Sequence, residues 1–168
     1  EMNRVILSRL ADIHFTPTKQ ACLNLMKEGL SRKHIHYVGN TISDAIRSFN
    51  FGISYTDFIL ITLHRRENWG ERTNNLLKSI NNCALRYPNI KFLYISHPNF
   101  KENKEKYLHQ YNIEIIKPVN YETMLSLIAS CKFIITDSGG IQEEAICLRK
   151  RVMICRDTTE RPEVIENG

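Results

Sequence analysis

The chain has 168 residues, 42% of them hydrophobic and 24% charged, and its formal net charge is +5. This length suits one compact domain with a single core, and the composition excludes an intrinsically disordered chain. No apolar run approaches the roughly 20 residues that a membrane-spanning helix needs, and aromatic and basic residues are not interleaved as in proteins that stack nucleic-acid bases. We therefore expect neither a membrane nor a nucleic acid as a partner.

The first forty residues allow two interpretations. Segment 10–15 has a strand pattern, and segment 19–28 has a helix pattern that starts at Thr16-Pro17-Thr18 and ends at Gly29. These elements form either a strand and a helix at the edge of the main sheet, or the tail of a preceding domain and a connector. We predict that residues 1–40 are the edge of an amino-terminal domain and its connector, and that residues 41–168 form one further domain.

From residue 35 onward, short apolar runs rich in β-branched and aromatic residues alternate with helical patterns. Strands are predicted at 35–38, 58–63, 92–96, 113–116, 133–136 and 152–155, and helices after Thr41 and at 73–86, 121–131 and 141–148. Consecutive apolar positions suit parallel strands that are covered on both faces. The alternation predicts an α/β fold, a Rossmann-like open parallel sheet with helices on both faces.

Open sheets of this kind bind ligands at the carboxyl ends of their strands, so the residues that follow each strand are candidates for a site. Strand 58–63 is followed by His64, Arg65, Glu67 and Asn68. A histidine relays protons near neutral pH, and arginines donate forked hydrogen bonds to phosphate oxygens. Glu67 would hold one of these side chains in place, and Gly70 permits a tight turn into the next helix. The alternative is an exposed charged loop with a local salt bridge.

Two other loops follow strands at the same edge. His97 and Asn99 flank a proline that restrains the turn presenting them, although an ordinary loop explains them equally well. Strand 152–155 is followed by Arg156, Thr159 and Arg161 among several carboxylates. These residues either form salt bridges with one another or contribute to a phosphate and sugar site.

The segment after strand 133–136 gives the clearest physical signal. Ser138 can cap the next helix or bind an anion, and Gly139 and Gly140 let a ligand approach the backbone closely. The first N–H groups of a helix and its dipole favour a phosphate. Glu143 and Glu144 follow in the first turns of that helix, and at most one of the two would face a ligand and accept hydrogen bonds from ribose hydroxyls. Compensation of the helix dipole is a sufficient explanation for one of them. Neither a dinucleotide fingerprint nor a P-loop is present.

The cysteine and lysine patterns argue for a reduced protein with a solvated surface. The five cysteines are widely spaced without a C-x-x-C pair, which predicts neither a zinc site nor a disulfide framework and fits a cytoplasmic location. Lysines in segment 101–106 alternate with polar residues, which is typical of a solvated helix face.

Taken in order, the loop motifs resemble those of the non-hydrolysing UDP-N-acetylglucosamine 2-epimerases. The motifs are Thr62-Leu63-His64-Arg65-Arg66-Glu67-Asn68, His97-Pro98-Asn99, Thr136-Asp137-Ser138-Gly139-Gly140-Ile141-Gln142-Glu143-Glu144-Ala145 and Arg156-Asp157-Thr158-Thr159-Glu160-Arg161-Pro162-Glu163. Together with weaker matches nearer the amino terminus they extend over nearly all of the chain. The third and fourth motifs are long and specific, so chance is a poor explanation for the resemblance.

The resemblance implies one half of a two-domain fold of the glycosyltransferase B type, in which UDP binds mainly to the carboxyl-terminal half. It implies that Ser138 and Gly139 hold the diphosphate, that Glu144 holds the ribose and that His64 is a functional residue of the active site. The implied reaction converts UDP-N-acetylglucosamine to UDP-N-acetylmannosamine by elimination and re-addition of UDP, and it needs no nicotinamide or redox metal. It further implies a truncated chain and a homodimer for the full-length family member.

Three other functions stay open from the sequence alone. A hydrolysing epimerase would release free N-acetylmannosamine and UDP. A glycosyltransferase of the same fold shares the acidic helix after a glycine-rich turn, but it lacks this combination of loops. A non-catalytic module that binds a nucleotide sugar would give binding without any product, and we expect the isolated chain itself to be inactive.

Overall fold

The computed structural model describes residues 2–49, 56–65, 68, 70–97 and 104–157. The chain divides into two compact units, Glu1–Ser48 and Phe49–Gly168. This division falls later than the predicted boundary after residue 40, because the short helix at Ile42–Arg47 belongs to the first unit. Whether the first unit is the edge of another domain stays a prediction.

Among the described residues, the first unit contains three α-helices, a short 3₁₀ helix (Arg32–His34) and a small parallel sheet of its own. The elements are α1 (Met2–Leu10), β1 (His14–Thr16), α2 (Lys19–Lys27), β2 (Ile35–Tyr37) and α3 (Ile42–Arg47). Strand β1 pairs with β2, with His14 opposite Ile35. The strand predicted at 35–38 is therefore found at Ile35–Tyr37, and it pairs with β1 and not with a strand of the five-stranded sheet. Helix α1 was not predicted, and the strand expected from residue 10 begins only at His14.

Capping explains the two ends of α2 but not the start of α3. The Thr18 side chain accepts a hydrogen bond from the Ala21 amide at 3.0 Å, as an N-cap residue does. Gly29 follows α2 with φ +87°, the left-handed conformation that commonly ends helices. Thr41 occupies the N-cap position of α3 but makes no side-chain capping bond. The Asn40 side chain instead accepts from the Ile42 amide at 3.1 Å.

The second unit is built on a five-stranded sheet in which every strand pair is parallel. Its elements are β3 (Phe58–Thr62), α4 (Glu71–Arg86), β4 (Lys91–Ile95), β5 (Ile113–Ile116), α5 (Tyr121–Ser130), β6 (Phe133–Thr136), α6 (Gly139–Cys147) and β7 (Val152–Ile154). The strand order is β5-β4-β3-β6-β7. The predicted α/β architecture is confirmed, and the predicted strands 113–116 and 133–136 are reproduced residue for residue.

Helices cover both faces of this sheet, as the apolar strand sequences predict. On one face Leu60 and Ile134 pack with Ile128 of α5 in one buried cluster. On the other face Ile61 and Tyr94 pack with Leu77 of α4. Successive residues of a strand point to opposite faces, so a strand buried on both sides must be apolar at every position.

One lysine departs from the sequence prediction. Lys104 lies in a short 3₁₀ helix, Lys104–Lys106, and is 7% exposed, so it is not part of a solvated face. Its ammonium group donates a hydrogen bond to the Ser96 hydroxyl and lies 5.9 Å from the centre of the Tyr94 ring. Burial lowers the pKa of Lys104 from its ordinary value.

Three features are absent among the described residues. Among the helices in the described part of the chain, none combines the length and the apolar character that crossing a bilayer requires. No disulfide joins the five cysteines, all of which lie within the described residues. Within the same residues, no three His, Cys, Asp or Glu side chains are grouped in a way that would hold a metal ion.

Candidate functional site

The strand order places two polar loops side by side. The chain runs from β3 outward to β4 and β5, then returns to place β6 on the other side of β3. Such a reversal of strand order opens a crevice at the carboxyl ends of the two central strands, where open α/β sheets bind ligands. Thr62 and Thr136, the last residues of β3 and β6, pair in register, and their hydroxyl oxygens lie 2.7 Å apart.

The turn after β6 leads directly into α6. The Ser138 amide donates to the Thr136 hydroxyl at 3.0 Å, which fixes the start of the turn. Ser138 is the N-cap residue of α6, yet its side chain makes no capping hydrogen bond. Of the two possibilities that the sequence left open for this hydroxyl, capping is therefore not realised in the described structure.

The two glycines that follow are the first residues of α6. Gly139 is buried and Gly140 is exposed, and neither has a positive φ. A Cβ atom at Gly140 would have the Ser138 hydroxyl as a neighbour at 3.9 Å, an ordinary contact. The fold itself thus has room for a side chain at Gly140, and the absence of one leaves the first N–H groups of the helix uncovered.

Glu144 is buried one turn further along α6, at 7% exposure. Burial raises the pKa of its carboxyl group, a hydrogen bond from the Tyr121 hydroxyl opposes that rise, and the charge of Glu143 adds to it. The helix begins at residue 139 and not at 141, so its first turn contains no acidic residue. Dipole compensation, which acts mainly within the first turn, therefore explains Glu143 and Glu144 less well than the sequence suggested.

The loop after β3 is held by Asp137, whose side chain is completely buried. The His64 amide donates to both carboxylate oxygens at 3.1 Å, and the Arg65 amide donates to Oδ2 at 2.9 Å. The Asn68 side chain donates to Oδ2 at 2.9 Å and also to the Cys155 carbonyl after β7 at 3.1 Å. One carboxylate thereby joins the ends of β3 and β6, and Asn68 extends the connection to β7.

The His64 ring lies close to Asp137 and to His97, which shift the pKa of His64 in opposite directions. Its Nδ1 atom is 3.5 Å from Asp137 Oδ1, and its ring stacks on that of His97 with centroids 4.9 Å apart. Burial lowers the pKa of His64, while Asp137 opposes the shift and the charges of His97 and Arg65 reinforce it. The lowered pKa favours the neutral imidazole, which is able to accept a proton.

Two buried polar atoms in this loop make no hydrogen bond with described residues. They are the Arg65 Nε and the Asn68 Oδ1. Buried donors and acceptors are normally satisfied, because a lost hydrogen bond costs about 1–3 kcal/mol. The guanidinium donor beside the crevice is accordingly well suited to an anionic ligand.

The predicted site residues fall into three groups. His64, Arg65 and Asn68 are brought together by Asp137, and His97 joins them through ring stacking. Ser138, Gly139, Gly140 and Glu144 line the start of α6, and Arg156 follows β7 in a half-buried position. Glu67, Asn99, Thr159 and Arg161 lie outside the described residues.

Two residues that the sequence did not select complete the site. Asp137 was visible only as the first polar residue after a buried strand, and the place of its carboxylate depends on a loop 73 residues earlier in the chain. Tyr121, at the start of α5, carries no recognisable signal in the sequence. Its pKa is raised by burial and by the charge and hydrogen bond of Glu144.

The fold and this site define an α/β protein of the Rossmann-like class, with its polar groups gathered where the strand order reverses. The family model for UDP-N-acetylglucosamine 2-epimerase matches residues 1–168. The chain therefore belongs to the UDP-N-acetylglucosamine 2-epimerase family. This confirms the resemblance that the loop motifs carry.

Individual relatives agree with this assignment. The chain is 41% identical over 192 residues to a UDP-N-acetylglucosamine 2-epimerase of Campylobacter jejuni, covering 100% of the chain and 50% of that protein. A Staphylococcus aureus structure solved with UDP matches with a TM-score of 0.90 and 37% sequence identity; the match covers 99% of this chain and 49% of the S. aureus chain. A Neisseria meningitidis UDP-GlcNAc 2-epimerase bound to UDP-GlcNAc matches with a TM-score of 0.87 and 34% identity, and this match covers 99% of this chain and 50% of the N. meningitidis chain.

These matches also fix the extent of the similarity. The chain spans about half the length of the curated relatives that it matches. The structural matches confirm the predicted fold class, a Rossmann-like domain of the kind found in glycosyltransferase-B-like proteins.

Proposed function

We propose that this chain supplies the UDP-binding half of a UDP-N-acetylglucosamine 2-epimerase. The diphosphate would lie on the turn of Ser138, Gly139 and Gly140, the ribose at Glu144, and the sugar near His64. The observation that carries this proposal is the uncapped start of α6 beside a buried carboxylate, at the edge where β3 and β6 end.

The start of α6 has the properties that a diphosphate requires. The first N–H groups of a helix have no partner within the helix, and together with the dipole they attract an anion. The Ser138 hydroxyl is not used for capping, so it can donate to a phosphate oxygen. The buried Arg65 Nε offers a charge-assisted donor from the neighbouring loop.

Glu144 fits the ribose because its carboxylate can accept hydrogen bonds from vicinal hydroxyl groups. The residue is buried and its pKa is raised. Two hydroxyl donors would offset part of the cost of keeping a charged carboxylate out of water. Nucleotide binding and the ionised form of Glu144 should therefore favour each other.

The His64 imidazole is suited to proton transfer at the sugar end. Inversion at carbon 2 by elimination and re-addition of UDP needs groups that remove and return a proton, and it involves no net oxidation, so no redox cofactor is required. A neutral imidazole in a half-buried position can take part in that exchange. The other predicted ligands of the sugar or the phosphates stay predictions. They are Asn68, His97 and Arg156, and, outside the described ranges, Glu67, Asn99, Thr159 and Arg161.

The remaining parts of the proposal concern the whole protein. Residues 1–40 would be the edge of a second domain, which agrees with the two-stranded β1–β2 sheet and with exposed apolar side chains at Leu10, Phe15 and Tyr37. Proton transfer on both faces of carbon 2 needs residues from that domain, so this chain alone should bind UDP without epimerising its sugar. We propose a homodimer as the assembled form and the cytoplasm as its location.

Calorimetric titration of the chain with UDP, UDP-N-acetylglucosamine and free N-acetylglucosamine tests the proposal. We expect the two nucleotides to bind and the free sugar not to bind, because the site holds mainly the diphosphate and ribose. No binding of UDP would refute the proposal for this chain. Incubation of the chain with UDP-N-acetylglucosamine, followed by product analysis, tests whether the chain alone is inactive. UDP-N-acetylmannosamine as a product would contradict an inactive chain. Free N-acetylmannosamine would indicate hydrolysis.

A further inference from the structure

Asp137 occupies an unusual position for a carboxylate in this fold. It follows the central strand β6, its side chain is 0% exposed, and no lysine or arginine side chain is bonded to it among the described residues. Its carboxylate instead accepts hydrogen bonds from three N–H groups: the His64 amide, the Arg65 amide and the Asn68 side chain. An ionised carboxylate accepts hydrogen bonds without donating any, which matches a set of partners that only donate.

The same residue connects the two loops of the site covalently and through space. Its backbone leads straight into Ser138 and the start of α6, and its amide donates to the Thr62 carbonyl at 3.4 Å. Its side chain holds the backbone of His64 and Arg65. The turn proposed for the diphosphate and the loop that carries the histidine are thus fixed on one buried group.

The carboxylate also faces the His64 ring. The separation of 3.5 Å between His64 Nδ1 and Asp137 Oδ1 is longer than a good hydrogen bond, but it brings the negative charge to one particular ring nitrogen. His97 stacks on the ring, and Arg65 is the neighbouring cation. Asp137 is therefore the acceptor that faces Nδ1 among the charged and titratable groups around the ring, and a carboxylate in this position favours the tautomer that has its proton there.

We propose that Asp137 is a positioning residue: it holds His64 with Nδ1–H toward the carboxylate, so that Nε2 is presented to the ligand, and it fixes the histidine loop to the turn of Ser138. The consequence for the reaction, though not the geometry, rests on the proposed function. A proton would then be accepted and returned at Nε2, while the Asp137 carboxylate stabilises the imidazolium formed in between.

The tautomer of His64 can be measured on the 168-residue chain without any ligand. Long-range proton–nitrogen NMR distinguishes the two ring nitrogens, and the His64 signals are assigned by their loss in His64→Gln. We expect the neutral ring to carry its proton on Nδ1. A neutral ring protonated on Nε2 would overturn the proposal, and this measurement needs no substitution of Asp137.

A pH titration of the same signals then compares Asp137→Asn with Asp57→Asn. Asp57 precedes the opposite end of β3, its side chain is 79% exposed, and it pairs with Lys132 at 3.3 Å. Asp137→Asn should lower the pKa of His64 by half a unit or more, because the charge that favours the imidazolium is lost while burial remains. Asp57→Asn should leave it within about 0.1 unit, since exposed distant charges are screened.

The outcomes separate this inference from the proposed function. An unchanged His64 pKa in a folded Asp137→Asn chain would overturn the positioning role, whether or not UDP binds. If that variant does not fold, as circular dichroism would show, the tautomer in the native chain decides. Failure of the native chain to bind UDP, together with a protonated Nδ1 and a lowered pKa in Asp137→Asn, would refute the UDP site and leave the positioning role intact.

Discussion

Helices α5 and α6 pack on the same face of the sheet but begin in different ways. Asn120 caps α5, and its side chain accepts from the Thr123 amide at 2.9 Å. Ser138 occupies the same position before α6 and makes no such bond. The first turn of α5 contains the acidic Glu122, whereas the first turn of α6 contains no acidic residue.

Under the proposed function, this difference means that α6 gives up stability for a binding site. A capping side chain is worth about 0.5–2 kcal/mol, and an acidic residue in the first turn adds about 0.3–1 kcal/mol. Helix α5 has both contributions and α6 has neither. The Asn120 side chain satisfies the Thr123 N–H group of α5, whereas no Ser138 side-chain bond satisfies an N–H group of α6, and under the proposed function a phosphate would take that role.

The largest expected effect is the loss of nucleotide affinity in Ser138→Ala. Removal of one hydrogen bond to a phosphate should cost about 1–3 kcal/mol of binding free energy for UDP, roughly tenfold to a hundredfold in Kd. The free energy of unfolding should change by less than about 0.5 kcal/mol, because the hydroxyl makes no capping bond. Calorimetry and urea denaturation measure the two quantities.

Ser126→Ala is the control, since that hydroxyl donates only to the Glu122 carbonyl on the exposed side of α5. Its UDP affinity should equal that of the native chain. A Ser138→Ala chain that unfolds more easily but binds UDP normally would show that the serine has a structural role after all.

Asn120→Ala should give the opposite result. Loss of its bond to the Thr123 amide should lower the free energy of unfolding by about 1 kcal/mol, the usual worth of an N-cap. UDP affinity should be unchanged, because the Asn120 side chain bonds to the Thr123 amide and not to a residue of the proposed site. If Asn120→Ala weakened UDP binding as strongly as Ser138→Ala, the contrast between the two helices would be wrong.

The main sheet was predictable because its strands are buried on both faces. Runs such as 58–63 and 133–136 are apolar at consecutive positions, and this pattern survives without knowledge of the fold. The pairing of β1 with β2 was not predictable, since three-residue strands carry little pattern of their own. The burial of Lys104 likewise depends on a chain segment folding back on Tyr94, which residue spacing does not reveal.

The polar loops of the site were predictable from the sequence, but the hydrogen bonds that join these loops were not. Each polar loop directly follows a predicted strand, so the sequence placed all of them at one edge. It gave no indication that β3 and β6 are neighbours, because β4 and β5 lie between them in the chain. The bonds from Asp137 to His64 and Arg65 follow from that adjacency, which explains why Asp137 was not selected.

Gly140→Ala tests whether the bare start of α6 serves a ligand. A Cβ atom fits there, and alanine favours helices over glycine by up to about 1 kcal/mol, so the chain should become slightly more stable. UDP affinity should fall by about 1 kcal/mol, because the new methyl group would stand where the diphosphate approaches the backbone. Asn75→Ala, on the exposed side of α4, is the control: it should also raise helix propensity, and it should leave the affinity for UDP unchanged.

The smallest expected effect concerns the charge of Glu144. Burial raises its pKa above 4.5, so the folded state binds protons more readily than the unfolded state. The contribution of this raised pKa to the free energy of unfolding is therefore present below pH 4.5. It is lost as the pH rises through the pKa of Glu144 in the folded state, and it is absent at neutral pH. Glu144→Gln removes the buried charge and should raise the free energy of unfolding at pH 7 by about 0.5 kcal/mol, although it weakens UDP binding.

The pH dependence identifies the cause of that gain. Urea denaturation should show the advantage of Glu144→Gln at pH 7 and little of it at pH 4, where the native carboxyl is largely protonated in both states. Glu122→Gln on α5 should instead lose a few tenths of a kcal/mol at pH 7, because an exposed carboxylate in a first turn is stabilising. Equal losses for both variants at pH 7 would mean that the Glu144 carboxylate stabilises α6 as an ordinary first-turn acid does, and the contrast between the two helices would fail at this position.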